Sequence, residues 1–180
     1  MIKIQNIIEH VKYQQYLNDI AVIEQGRAFC THSLEHFLEV ARIGYILWLE
    51  HAICTQATNV EKQTDIIEAT NEAMNEAKRR IYAASLLHDI GKFRQYVYNE
   101  NHATASAVLA EEILADVGFC PDQIAAILDA IRNHNQHTSP NMLTRVIQQA
   151  DRLSRKCYQC PMQHECYKIE QMDTRHGLLY

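Results

Sequence analysis

The run Ile81-Tyr82-Ala83-Ala84-Ser85-Leu86-Leu87-His88-Asp89-Ile90-Gly91-Lys92 decides how this chain is read. Ala83, Ala84, Leu86 and Leu87 make the lead-in apolar, so this end of a helix is packed, and Gly91 is a natural stop. A packed helix end has no structural use for adjacent His and Asp, because burying ionisable groups without partners is costly. A metal ion between the two side chains resolves the conflict: neutral imidazole and carboxylate can ligate it together, and the carboxylate can bridge to a second ion. The plainer reading is a histidine near the negative end of the helix dipole, with the aspartate as a turn residue. On this pair alone the two readings balance.

Outward from this run the apolar period stays helical. Ile4, Ile7, Ile8 and Val11 mark the inner face of a first helix. After Gly26 the chain restarts, with Thr31 and Ser33 as caps, and carries Leu34, Phe37, Leu38, Ala41, Tyr45, Trp48 and Leu49 along one stripe. Thr55 to Thr64 reads as the longest loop, and the next helix builds from Ile66 and Ile67 into the decisive run. A loop rich in Tyr and Asn follows it. Then come His102 to Val117, closed by Gly118, and a helix opened by Pro121 with Ile124, Ile127, Leu128 and Ile131. Ser139-Pro140, a cap followed by proline in the first turn, starts a last helix through Leu143, Val146, Ile147, Ala150 and Leu153. No repeat or convincing strand is seen. The expectation is an all-α bundle of about six helices over residues 1–155, with a Cys-rich tail over 156–180 packed on the same domain.

Composition agrees. The 180 residues allow one domain, and five Gly with three Pro are too few for a fold of many short strands. A formal charge of −5 argues against a duplex nucleic-acid binder, which normally needs a basic face. The longest apolar stretch, Ile43 to Cys54, is interrupted by Arg42, Glu50 and His51 and falls short of the roughly 20 apolar residues that span a bilayer. No secretion leader is recognisable, so the six Cys read as those of a reduced, cytoplasmic protein, where clustered Cys more often mean metal than disulfide. Ten His is high for this length, and imidazole is the commonest protein ligand of transition metals.

The rest of the chain breaks the tie at His88-Asp89. Upstream lies His36-Phe37-Leu38-Glu39-Val40-Ala41-Arg42, and downstream Ala150-Asp151-Arg152, a second carboxylate beside an apolar stripe. Together His36, His88-Asp89 and Asp151 resemble the defining metal ligands of the HD-domain phosphohydrolases, and the central segment resembles their His-Asp-Ile-Gly subgroup. The resemblance covers roughly Cys30 to Arg155. It implies an all-helical hydrolase of phosphate mono- or diesters, with a nucleotide as the small substrate. His32, one turn before His36, competes for the first position, but Val40-Ala41 at the expected distance favours His36 and leaves His32 beside the ligands or against substrate. In members resembling the diadenosine-polyphosphate hydrolases, histidines placed like His102 and His134 hold a second ion, with the central aspartate bridging; alone, each reads as an ordinary helix-end residue. His10, His51, His137, His164 and His176 have no such context.

A mixed imidazole and carboxylate set suits iron, manganese, cobalt, nickel or zinc, as one or two ions. Such an ion lowers the pKa of bound water from about 15.7 toward about 7 and polarises the phosphoryl oxygen. Lys92, directly after the motif, is placed to pair with a phosphate oxygen and is grouped with His88 and Asp89 as catalytic; Arg94, Arg132 and Arg152 read better as solvated cations. A second metal signature closes the chain: Cys157-x-x-Cys160-Pro161, then Cys166. A site normally wants four ligands. Cys30 lies as far before His36 as Cys157 lies after Asp151, which makes it the first candidate for the fourth, with His164 and His32 as the others. Zinc and an iron–sulfur cluster both fit this pattern, as do plain thiols on a frayed tail. Two rival functions remain: a catalytically silent ligand-binding module with the same helical shell, and a redox-sensing regulator centred on the thiols.

Overall fold

A computed structural model describes residues 1–56, 65–136 and 138–180. Eight α-helices follow one another: α1 (Ile2–Glu9), α2 (Val11–Ile23), α3 (Leu34–Gln56), α4 (Asp65–Leu87), α5 (Lys92–Tyr98), α6 (His102–Asp116), α7 (Pro121–Asn133) and α8 (Met142–Leu153). Four single 3-10 turns lie between Cys157 and Arg175. There is no strand among the described residues, so the fold is all-α. The loop expected over Thr55–Thr64 lies outside the described residues beyond the end of α3, as does His137.

The core forms around α4. Its Ile81, Ala83, Ala84, Leu86 and Leu87 are buried against Phe37 of α3, Ile113 and Leu114 of α6, Ile127 and Ile131 of α7, and Ile147 of α8. A second face of α3, with Val40, Ile43 and Leu47, packs on Ala150 and Leu153 of α8. Each large apolar side chain buried this fully contributes about 1.5–3 kcal/mol. The C-terminal end of α4, which carries the decisive run, is therefore fixed from several sides at once.

Local chemistry sets the helix ends. Ser33, the second of the two cap candidates, receives the His36 N–H on its hydroxyl at 3.4 Å and the Phe37 N–H on its carbonyl at 3.1 Å. Asn101 caps α6 by accepting the Thr104 N–H at 3.0 Å. Gly118 ends the same helix with φ +83°, and Phe119 N–H returns to Leu114 O at 3.0 Å, the closure that a left-handed glycine permits.

Four local expectations change. The first helix is two, because His10 takes an extended conformation and its Nδ1 accepts the Lys12 N–H at 3.2 Å, starting α2; Val11 then points outward and is 80% exposed. The segment after Gly91, expected as a loop, is α5. It buries no residue completely and so leaves no apolar stripe to read; it is held instead by Phe93 stacked on Tyr16 at 5.7 Å and by the Tyr96 hydroxyl, which donates to Glu24 at 2.7 Å. The cap of α8 is Asn141 rather than Ser139, with Asn141 Oδ1 accepting the Leu143 N–H at 2.9 Å. Gly91 does not stop a helix, since its φ is −85°. It is required by close approach: a Cβ there would stand 2.5 Å from the Ser106 nitrogen.

The segment after Arg155 folds back on the bundle. Cys157 and Thr174 are buried, and the Gln163 amide ties Cys157 O to Arg175 O at 3.1 and 2.8 Å. Lys156 pairs with Glu39 of α3 at 2.8 Å, and the Tyr180 hydroxyl donates to Glu50 at 2.9 Å.

Candidate metal centre

Five helix ends meet in one cleft. The first turn of α3 brings His36, the turn after α4 brings His88 and Asp89, α6 opens on His102, α7 closes on His134, and the last turn of α8 carries Asp151. Among the described residues two groups of three ligand atoms each lie within 4.8 Å of one another: His36, His88 and Asp151, and His88, Asp89 and His134. His36 Nε2 is 3.2 Å from Asp151 Oδ1, and His88 Nε2 is 3.8 Å from the same oxygen. The Asp89 carboxylate is two-sided. Its Oδ1 faces His102 Nε2 at 3.4 Å, His134 Nε2 at 3.6 Å and Lys92 Nζ at 4.0 Å. Its Oδ2 faces His32 Nε2 and His88 Nε2, both at 3.5 Å.

The imidazoles are oriented from behind. His88 Nδ1–H donates to Ser85 O at 2.6 Å and His134 Nδ1–H to Ile131 O at 2.7 Å, each using a carbonyl that the helix end leaves unsatisfied. The Ser154 hydroxyl donates to Asp151 O at 2.7 Å, which leaves its oxygen to accept from His36 Nδ1–H at 3.3 Å. In all three rings Nδ1 carries a proton, and Nε2 looks into the cleft. His32 has the same arrangement, with Glu24 on Nδ1. Such outer partners are what fix a metal-ligating imidazole.

What the inward atoms face is the decisive test of fit. His36 Nε2, His88 Nε2 and Asp89 Oδ1 are all buried and make no hydrogen bond. An orphaned buried polar atom costs about 1–3 kcal/mol, so three in one cleft call for partners. His36 and His88 Nε2 lie on the Asp151 side and Asp89 Oδ1 on the side of His102 and His134, and a cation suits the imidazole nitrogens and carboxylate oxygen on either side.

Protonation suits this at two of the imidazoles, while at His88 burial, which lowers it, is outweighed by Asp89 and Asp151, which raise it. Burial lowers His36 to about 4, against the opposing pull of Asp151, and lowers His102 to about 4 against Asp89. Both are neutral near pH 7, as ligation needs. Burial would raise Asp89, but His88, Lys92 and His134 outweigh it and hold the carboxyl well below its usual range. At Asp151 burial is likewise outweighed, first by Arg155 and then by His36 and His88.

Four contributors carry no sequence signal of the kind used above. Arg155 sits one turn beyond Asp151, holds its Oδ1 at 3.1 Å and donates to Thr31 O at 3.0 Å. Ser154 orients His36. Glu24 and Tyr96, from α2's end and α5, stand behind His32. Only the i, i+4 spacing of Asp151 and Arg155 was open to reading. Of the lesser cations, Arg94 lies 3.6 Å from Glu100 and Arg152 lies 4.0 Å from Asp173.

Residues 33–156 match the HD domain family, and this stretch holds all the inward-facing groups except His32. The chain belongs to the HD domain family. HD domains bind divalent metals and are generally metal-dependent phosphohydrolases, which agrees with the donor set in this cleft. This HD domain is also 32% identical, over 160 residues, to an uncharacterized protein of Clostridium beijerinckii, the alignment covering 89% of this chain and 88% of that one. No solved structure matches it. No helix among the described residues of this HD domain is long and apolar enough to cross a membrane.

Proposed function

We propose that this HD domain is a hydrolase of phosphate mono- or diesters, with a nucleotide as substrate, and that His36, His88, Asp89 and Asp151 hold its first divalent transition ion. The observation that carries this reading is that His36 Nε2, His88 Nε2 and Asp89 Oδ1 are buried and unpartnered in one cleft, in two overlapping groups of ligand atoms. Iron, manganese, cobalt, nickel and zinc suit the mixed set. The two-sided Asp89, with His102 and His134 on its Oδ1, supports a second ion that shares the aspartate. An ion in this cleft supplies a water activated at neutral pH and positive charge for a phosphoryl oxygen.

The chain's own residues do the rest. Lys92 Nζ, 4.0 Å from Asp89, is placed to meet a second phosphate oxygen. Arg155 holds Asp151, the partly exposed member of the set, at the cleft's open side. His32, backed by Glu24, presents Nε2 to the same space and is placed to touch the bound phosphate. Beside His32 a cleft of about 490 Å³ continues outward between α2 and the start of α3. Leu17, Ala21 and Leu34 give it apolar walls for a planar base, and Asn18 an amide for the base edge.

The test is to load the protein with each of the five metals and assay nucleoside mono- and diphosphates, cyclic nucleotides, dinucleoside polyphosphates and p-nitrophenyl esters. Hydrolysis is expected with at least one metal, and it is expected to vanish in His88→Ala and Asp89→Ala. A fully loaded protein that turns over none of these esters would leave a silent ligand-binding module instead.

A further inference from the structure

Outside the HD site the chain brings four thiols to one place. Cys30, Cys157 and Cys160 line a single cleft of about 400 Å³ between the start of α3 and the chain after α8, together with Pro161, Arg155 and His36. Cys166 is tied to them through Gln163, whose O accepts the Cys166 N–H at 3.3 Å and whose side-chain amide donates to Cys157 O at 3.1 Å. All four are free thiols. Of the alternatives for a fourth donor, His164 is turned away, 76% exposed and 3.4 Å from Glu165, and His32 is committed to Glu24 and Asp89.

We propose that Cys30, Cys157, Cys160 and Cys166 ligate an iron–sulfur cluster that staples the chain after Arg155 to the start of α3. Two observations carry this. The first is the pattern of donors: Cys30, from the loop before α3, lines one cleft with Cys157 and Cys160, which open and close the first 3-10 turn, and Cys166 closes the second, so the donors come from two distant stretches. The second is spacing. Four sulfurs on one zinc at about 2.3 Å stand roughly 3.8 Å apart. Among the described residues the three-ligand groups within 4.8 Å are both in the HD site, so the thiols are spread more widely than a single ion requires. A cluster, in which each thiolate binds a different iron, holds its sulfurs further apart and needs a cleft between them.

The cluster is a structural tie and takes no part in the hydrolysis. Its test is run on full-length protein purified without oxygen, in an Asp89→Ala background, which removes the carboxylate both HD-site ions share, so that iron there does not confuse the count. Iron and acid-labile sulfide are expected in equal amounts, with a visible charge-transfer band that dithionite bleaches. Cys30→Ser and Cys160→Ser should each lose the sulfide and band, while Cys54→Ser keeps them. Because a variant could fail to fold, the sulfide assay and the spectrum of the parent protein stand alone: zinc without sulfide in the parent overturns the cluster. Sulfide retained in full by Cys30→Ser overturns the staple. Neither outcome touches the HD reading, which stands or falls on the ester assay.

Discussion

Ser154 contributes no ligand, yet its hydroxyl stands between Asp151 O and the His36 ring. Ser154→Ala removes that link and leaves the fold alone, so metal affinity should fall by about 10–100-fold while far-UV circular dichroism stays unchanged; a metal titration reads it. Gly91 is the opposite kind of residue. A Cβ there meets the backbone of Ser106 and Ala105, and neither can rotate aside. Gly91→Ala should cost about 1–3 kcal/mol in denaturant unfolding and weaken metal binding as well, since Lys92 follows it and Asp89 lies in the same turn. If the substitution is silent in both, the close approach is not what holds the turn. At this scale the sequence was legible wherever an ionisable residue stood beside an apolar stripe, as at His88-Asp89 and Asp151. It was illegible for Ser154, Glu24 and Tyr96, whose roles depend on partners brought together only by the fold.

Glu76 shows how one helix is tied to another. On α4, its Oε1 accepts from Arg80 Nε and from Gln123 Nε2 of α7, both at 2.7 Å, and its Oε2 accepts from Arg79 at 2.9 Å. Burial pushes this carboxyl up, but the bonds from Arg80, Arg79 and Gln123 outweigh it and hold it below its usual 4.5. A carboxyl lowered in the folded state adds stability above pH 4.5, and that stability is lost as pH falls through the folded value. Glu76→Gln should therefore cost about 1 kcal/mol near pH 7, allowing for its partial exposure, and the gap to wild type should shrink below pH 4.5. A gap independent of pH would mean that geometry, not charge, makes the link. The long helices were readable because they bury a stripe. The short α5 was not, since rings and one hydroxyl hold it where no apolar period exists. The break at His10 was missed because histidine is an unusual cap.

For the whole molecule, an ion that binds only the folded chain adds stability by mass action. At 100 times its dissociation constant the gain is about 2.7 kcal/mol, and with about 2–4 °C per kcal/mol for a chain of this size the melting temperature should rise roughly 5–10 °C on adding metal back to chelated protein. His88→Ala should show a smaller rise than the wild type, since it loses the first ion and keeps the thiols and the His102 side of Asp89. A full shift in that variant would place the stabilising ion elsewhere. The all-α class followed from few Gly and Pro and an unbroken helical period, whereas the order after Arg155 did not, because single 3-10 turns have no period to detect.

The two helix-end carbonyls that hold His88 and His134 have a spectroscopic consequence. Both rings are fixed by residues three positions back on their own helices, so their tautomers do not depend on bound ligand. Their ring protons are buried and exchange with water only when the helix end opens. In the proton NMR spectrum of metal-free protein, two sharp, downfield imidazole resonances should persist and exchange slowly, and diamagnetic zinc should shift them without making them appear or vanish.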